Sequence, residues 1–147
     1  MEKFETHNEI DTINLAKDFA SKLKPTDIVL LCGELGCGKT KFTEGILQYY
    51  GLENEISSPT FTIVNEYQKD SLTIYHFDVY RLSDIDEFYA IGGEEYLLNG
   101  LCIIEWGNII EEAILSSYYK ITFEKSVLDD DTRFISIEKI EKGSDIS

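Results

Sequence analysis

Residues 27–42 read DIVLLCGELGCGKTKF, an apolar run, a glycine-rich turn and the opening of a new element. The run Ile28 to Cys32 has no polar alternation, which suits a strand covered on both faces. Gly33, Gly38, Lys39 and Thr40 then fit the pattern GxxxxGK[ST]. In that pattern glycines leave backbone N–H groups able to surround phosphates, the lysine ammonium reaches the β and γ oxygens, and the hydroxyl ligates magnesium. A strand before the loop and a helix after it would aim the helix N-terminus at the phosphates. The plain alternative is a tight strand-to-helix turn that merely needs glycine. The dinucleotide fingerprint GxGxxG fits poorly, because it leaves Lys39-Thr40 unexplained.

Outward from this stretch, Ile13, Ala16, Phe19, Ala20 and Leu23 recur at helical spacing, predicting a first helix over 9–23 with a capping box from Thr6 to Glu9. KPTD breaks it before the buried strand. The second helix is expected from near Gly38 to Gly51, a glycine stop. PTFTIVNEYQ and LTIYHFDVY, separated by KDS, read as a β-hairpin. SDIDEFYAIGGEEYLLNG reads as two short helices broken at Gly92 and Gly93, LCIIEW as a second buried strand and NIIEEAIL as a short helix. YYKITFEK and TRFISIEK, joined by SVLDDD, predict a second hairpin, and a polar tail begins at about residue 139. The expected architecture is an α/β, P-loop NTPase-like three-layer domain spanning 1–147. Its mixed sheet has a parallel core, around 28–32 and 101–105, and antiparallel hairpin strands.

A chain of 147 residues with 43% hydrophobic residues and two prolines is long enough to bury one core. Its formal charge of -15, from 28 acidic and 13 basic residues, repels a phosphate backbone. Arg81 and Arg133 are the only arginines and the lysines are scattered, so a protein partner is expected rather than tight direct contact with nucleic acid. Cys32, Cys37 and Cys102 form no CxxC pair and have no histidine at metal-ligand spacing, which speaks against a disulfide framework and zinc. With no apolar leader or bilayer-length run, the expected location is the cytoplasm. Cys37 lies inside the loop, where thiol pKa values tend to fall; its plain role is a small filler, and its alkylation is expected to block nucleotide binding.

Turnover needs more than a phosphate loop: a carboxylate for the metal and a group to orient the nucleophile. LCIIE ends in Glu105 and IYHFD in Asp78, two carboxylates at the C-terminal ends of apolar strands, beside which ligands bind in open α/β sheets. Either could instead be a strand end facing solvent. SSPTFT places Thr60 where P-loop switches use a threonine to sense the γ-phosphate, or simply where a proline-bounded strand starts. Trp106, His76 and His7 read on their own as packing or surface residues. The run of aspartates at 129–131 reads as a solvated turn, without the glycine and distal glutamate of a calcium loop.

Taken together, GELGCGKT, SPTFTIVNEY, YHFDVYRL and IIEW, in that order and spacing, resemble the bacterial TsaE family from about residue 9 to residue 137. The resemblance implies a small ATPase of tRNA threonylcarbamoyladenosine synthesis, working with TsaD and TsaB proteins on the adenosine beside the anticodon. It implies that Leu35, Gly36, Cys37, Gly38, Lys39 and Thr40 form the ATP loop and that Thr40 and Glu105 hold magnesium. By the same likeness Asp78, Thr60 and Trp106 serve turnover, Glu9 lies on the adenine side, and Arg133 lies near the nucleotide. ATP hydrolysis would reset the TsaD–TsaB assembly, with tRNA held by those partners. The chain departs from the family pattern at Cys37, where alanine is usual, and at Lys41, where a second threonine often follows. Two other functions compete. A small-molecule kinase would need cationic lid residues that two arginines hardly supply, and a nucleotide-sensing module would show negligible turnover.

Overall fold

The computed structural model describes residues 1–33, 38–52, 64–79, 82 and 84–141. The elements run β1 (Glu2–Thr6), α1 (Glu9–Ala20), β2 (Ile28–Gly33), α2 (Lys39–Tyr49), β3 (Val64–Lys69), β4 (Leu72–Asp78), α3 (Ile85–Ala90), α4 (Gly93–Asn99), β5 (Leu101–Glu105), β6 (Tyr118–Lys125) and β7 (Arg133–Ile140). Two 3-10 turns, Gly107–Ile109 and Glu111–Ala113, lie between β5 and β6. The strands form one sheet in the order β1-β7-β6-β2-β5-β4-β3. β6, β2, β5 and β4 are parallel to one another, while β3, β7 and β1 add antiparallel pairings outside them. Each predicted hairpin thus contributes one of its strands to the parallel core.

Alternation along the central strands sorts the core into two layers. Val29 and Leu31 of β2, Ile74 of β4 and Leu101 and Ile103 of β5 share a cluster with Ala16, Phe19, Phe42 and Ile46 of α1 and α2. Leu30, Phe77 and Ile104 point the other way, onto Phe88 of α3, Leu97 of α4 and Ile110 beside the 3-10 turns. The result is helix, sheet, helix, the three layers expected. Phe42 is fully buried, with edge-on contact to Phe123 at 5.5 Å between centroids; such burial stabilises by about 1.5–3 kcal/mol. α2 lies almost on the backbone of α1, because Gly45 has no side chain to hold them apart: a Cβ there would sit 2.5 Å from both Ala16 Cβ and Ile13 O.

Five local expectations are corrected. The N-terminal residues form a strand that was not expected: EKFET has a single aliphatic or aromatic residue, Phe4, and is held by its antiparallel ladder to β7 rather than by pattern. α1 is capped by Asn8, whose Oδ1 accepts the Asp11 N–H at 2.8 Å, and not by a Thr6–Glu9 box; Thr6 ends β1 with its hydroxyl 2.9 Å from that of Thr12. The helix stops at Ala20 because the next N–H groups, of Lys22 and Leu23, turn to carbonyls three residues back, tightening the chain into a 3-10 end. NIIEEAIL forms 3-10 turns instead of an α-helix, and Ile110, Ala113 and Ile114 are buried against the sheet. At the other end, Ile140, expected in the polar tail, pairs with Tyr118 at the end of β7. The first residues of the predicted 59–68 strand lie outside the described residues.

Candidate nucleotide site

A cleft of about 330 Å³ opens at the C-terminal ends of β2, β4 and β5. On its floor are Gly38, Lys39 and Thr40 at the start of α2, with Asp78, Glu105 and Trp106; its side is formed by Asn8, Glu9 and Thr12 of the α1 end and by Asp131 and Arg133. Of the residues singled out from the sequence, Glu9, Gly38, Lys39, Thr40, Asp78, Glu105, Trp106 and Arg133 therefore converge on one cavity. Leu35, Gly36, Cys37 and Thr60 lie outside the described residues.

The two motif glycines meet backbone demands that other residues cannot. Gly33 has φ of 147° and a Cβ there would stand 2.7 Å from the carbonyl oxygen of Phe123. Gly38, at φ 99° and ψ 8°, is the left-handed N-cap of α2. From it α2 runs with Lys39 in its first turn, a lysine only 5% exposed. The Lys39 ammonium donates to the carbonyl of Gly33 and lies 3.7 Å from the centroid of the Trp106 ring, a close cation–π contact. Trp106 reaches that position because its backbone is left-handed, φ 65°, directly after β5; such a conformation costs on the order of 1–3 kcal/mol in a bulky residue and is concentrated at functional sites.

Sheet register sets the carboxylates. Asp78 and Glu105 are paired neighbours at the ends of β4 and β5, and Leu31 of β2 is level with Glu105. With a two-residue period, Ile74, His76 and Asp78 share the sheet face that carries Ile103 and Glu105, the face covered by α2. Glu105 is 6% exposed. One of its oxygens, Oε1, accepts the Thr40 hydroxyl at 3.4 Å, and the other, Oε2, is 2.5 Å from Nε2 of His76.

A hydroxyl and a carboxylate oxygen side by side suit magnesium, a hard cation that keeps waters and takes substrate phosphates in place of a full protein cage. Among the described residues there is no group of three or more His, Cys, Asp or Glu side chains placed to hold an ion.

The side of the cleft is braced by the β6–β7 turn. Asp129 accepts the Asp131 N–H at 3.0 Å and the Thr132 hydroxyl at 2.9 Å, and these bonds hold its carboxyl below the usual range. His7 Nδ1 is 3.3 Å from the same Thr132 hydroxyl, which ties the β1–α1 turn to this loop. Arg133 donates through Nη1 to the carbonyls of Asp130 and Thr132, the latter at 3.1 Å. Lys41 lies 3.7 Å from Glu9 and 3.3 Å from Glu44.

Sequence reasoning gave His76 no part in the site, did not name Asn8 or Thr12, and read Asp131 as part of a solvated turn where it lines the cleft. A signal for His76 was present: it stands two residues before Asp78 on one strand, hence on the same face. The cleft residues of the β6–β7 turn carry no such local signal, since antiparallel pairing brings them from the far end of the chain.

Residues 6–135 match the family described as threonylcarbamoyl adenosine biosynthesis protein TsaE. The chain is 44% identical over 132 residues to a Rickettsia felis protein named tRNA threonylcarbamoyladenosine biosynthesis protein TsaE, covering 89% of this chain and 76% of that one. A Bacillus subtilis protein of the same name is 38% identical over 139 residues, covering 94% and 85%. In three dimensions the chain is similar to the crystal structure of Bacillus subtilis YdiB, with a TM-score of 0.72 and 34% identity, covering 97% of this chain and 86% of that one.

Proposed function

The chain belongs to the TsaE family, and from that premise we propose that it binds and slowly hydrolyses magnesium-ATP to reset TsaD-like and TsaB-like partners in threonylcarbamoyl modification of tRNA. One observation carries this reading: Thr40 and Glu105 meet at 3.4 Å on the floor of a cleft that also holds the buried Lys39. In this reading Gly38 and the α2 N-terminus receive the phosphates, and Lys39 leaves Trp106 to contact them. Thr40 and Glu105 would hold magnesium, which neutralises the phosphate oxygens when bound. Asp78, level with Glu105, would orient the attacking water in this reading. Glu9 and Arg133 both line the cleft, and in this reading Glu9 would lie on the adenine side and Arg133 near the nucleotide.

The charge of -15 supports a division of labour in which tRNA is held by partners and this subunit touches protein. Cytoplasmic location follows from the same proposal; among the described residues no helix is long and apolar enough to cross a membrane. ATP hydrolysis measured with and without TsaD and TsaB homologues, for wild type and Lys39→Ala, tests the reading. Free phosphate whose release rises with the partners and is lost in Lys39→Ala is expected. Partner-independent turnover, or a phosphorylated small-molecule acceptor in place of free phosphate, refutes it.

A further inference from the structure

We propose that His76 is the positioning residue for Glu105, fixing one carboxylate oxygen so that the other is presented beside Thr40. The inference rests on the magnesium-ATP reading of the cleft and assigns a residue that this reading leaves without a role.

His76 is 2% exposed, in the middle of β4 and two residues before Asp78. A carboxylate only accepts hydrogen bonds, so Nε2 carries the hydrogen of the 2.5 Å contact with Glu105 Oε2 in either charge state of the ring. The opposite nitrogen, Nδ1, is buried and has no hydrogen-bond partner among the described residues. A histidine that served only to fill the layer would leave both nitrogens a burden, and an apolar residue would fill the same space at lower cost. Among the described residues the bond to Glu105 is the ring's polar contact, and it is directed at the candidate metal ligand.

The two bonds to Glu105 are unequal. At 3.4 Å the Thr40 hydroxyl is at the long limit of a hydrogen bond and restrains the carboxylate weakly. The His76 contact is short and buried, and sets the rotamer of a side chain with three rotatable bonds. With Oε2 engaged, Oε1 is the oxygen left facing Thr40. Partners of this kind orient first ligands and tune their affinity for the ion, and their loss typically weakens metal binding about 10–100-fold.

The test separates metal affinity from folding. Calorimetry measures ADP affinity in saturating Mn2+ and again in EDTA; the ratio reports what the metal adds. In His76→Leu the ratio should fall about 10–100-fold while the affinity in EDTA stays at the wild-type value. His76→Gln, whose amide nitrogen can occupy the place of Nε2, should restore most of the ratio. Thermal melts verify folding, and if His76→Leu does not fold, His76→Asn, polar but too short to reach Glu105, takes its place. A wild-type ratio in His76→Leu or His76→Asn overturns the inference alone. Equal losses with and without metal, or a His76→Gln no better than the apolar variant, also overturn it, since they indicate packing. A wild-type protein that gains nothing from Mn2+ overturns the metal-ATP reading itself.

Discussion

Gly45→Ala sets two large effects against each other and has a sign that the packing of α1 on α2 decides. In a helix interior alanine is favoured over glycine by about 1 kcal/mol, so propensity alone stabilises. The added Cβ, however, would lie 2.5 Å from Ala16 Cβ and 2.5 Å from the carbonyl oxygen of Ile13, about an ångström inside ordinary contact on two sides. Neither neighbour can swing away: one is a buried side chain without a rotamer and the other is backbone. Relief requires the helices to part, and overpacking of this kind costs roughly 1–3 kcal/mol. Because both obstacles are rigid, the upper end applies, leaving a net loss of about 2 kcal/mol. For a chain of this size that is a fall in Tm of roughly 4–8 °C. Urea denaturation and thermal melts of the two proteins give the answer. Since α1 brings Asn8, Glu9 and Thr12 to the cleft and α2 brings Lys39 and Thr40, nucleotide affinity should weaken as well. A Tm raised by a few degrees, the propensity gain alone, would refute the reasoning.

Cys32 and Cys102 are buried and burial pushes both thiols up, that of Cys102 to about 12, so rapid alkylation at neutral pH should modify one equivalent of thiol, assigned to Cys37 by peptide mapping. That labelling should abolish nucleotide binding and be slowed by magnesium-ATP; a rate indifferent to ATP contradicts the placement of Cys37 in the phosphate loop. Alkaline stability follows from the same burial: a thiol whose pKa is 9.0 unfolded and about 12 folded favours the folded state in full below pH 9, and this contribution is lost as pH rises towards 12. It amounts to at most about 4 kcal/mol, so Cys102→Ala should flatten the fall in denaturation free energy above pH 9, and an unchanged slope refutes it. Trp106 is the only tryptophan and carries the Lys39 ammonium 3.7 Å from its ring centroid, so nucleotide binding that withdraws Lys39 should change its emission. Lys39→Ala should show altered emission without nucleotide and no response to it; a wild-type response in that variant breaks the link.

What the sequence made legible was local. The phosphate loop occupies eight consecutive positions, 33–40, and its strand and helix flank it directly, so β2 and α2 could be read from one window. Glu105 and Asp78 were readable because apolar runs end in them, but that they stand side by side depends on β4 pairing with β5 in a register no local pattern specifies. β1 was illegible for a related reason: a five-residue edge strand with one apolar residue is made by the partner it pairs with, here β7 from the far end of the chain. The same long-range pairing carries Arg133 to the cleft opposite Glu9. His76 shows the remaining gap, since a histidine in a strand reads as packing until the register shows that it faces the carboxylate of the next strand.

The charge balance of the cleft bears on the proposed metal. Among the described residues that line it, Glu9, Asp78, Glu105 and Asp131 stand against Lys39, Lys41 and Arg133, and Lys41 is drawn towards Glu9 and Glu44. The whole chain adds a field of the same negative sign. A nucleoside triphosphate without a counter-ion would meet net repulsion that one buried lysine and a helix terminus only partly offset. A divalent cation held by Thr40 and Glu105 would turn that carboxylate from a repulsive neighbour of the phosphates into a ligand. Its contribution to phosphate binding would then change sign without any change in the protein's own residues. On that proposal the acidity of the cleft would favour the metal complex over bare nucleotide, and it would require Glu105 to hold its oxygen at one fixed point, the task proposed for His76.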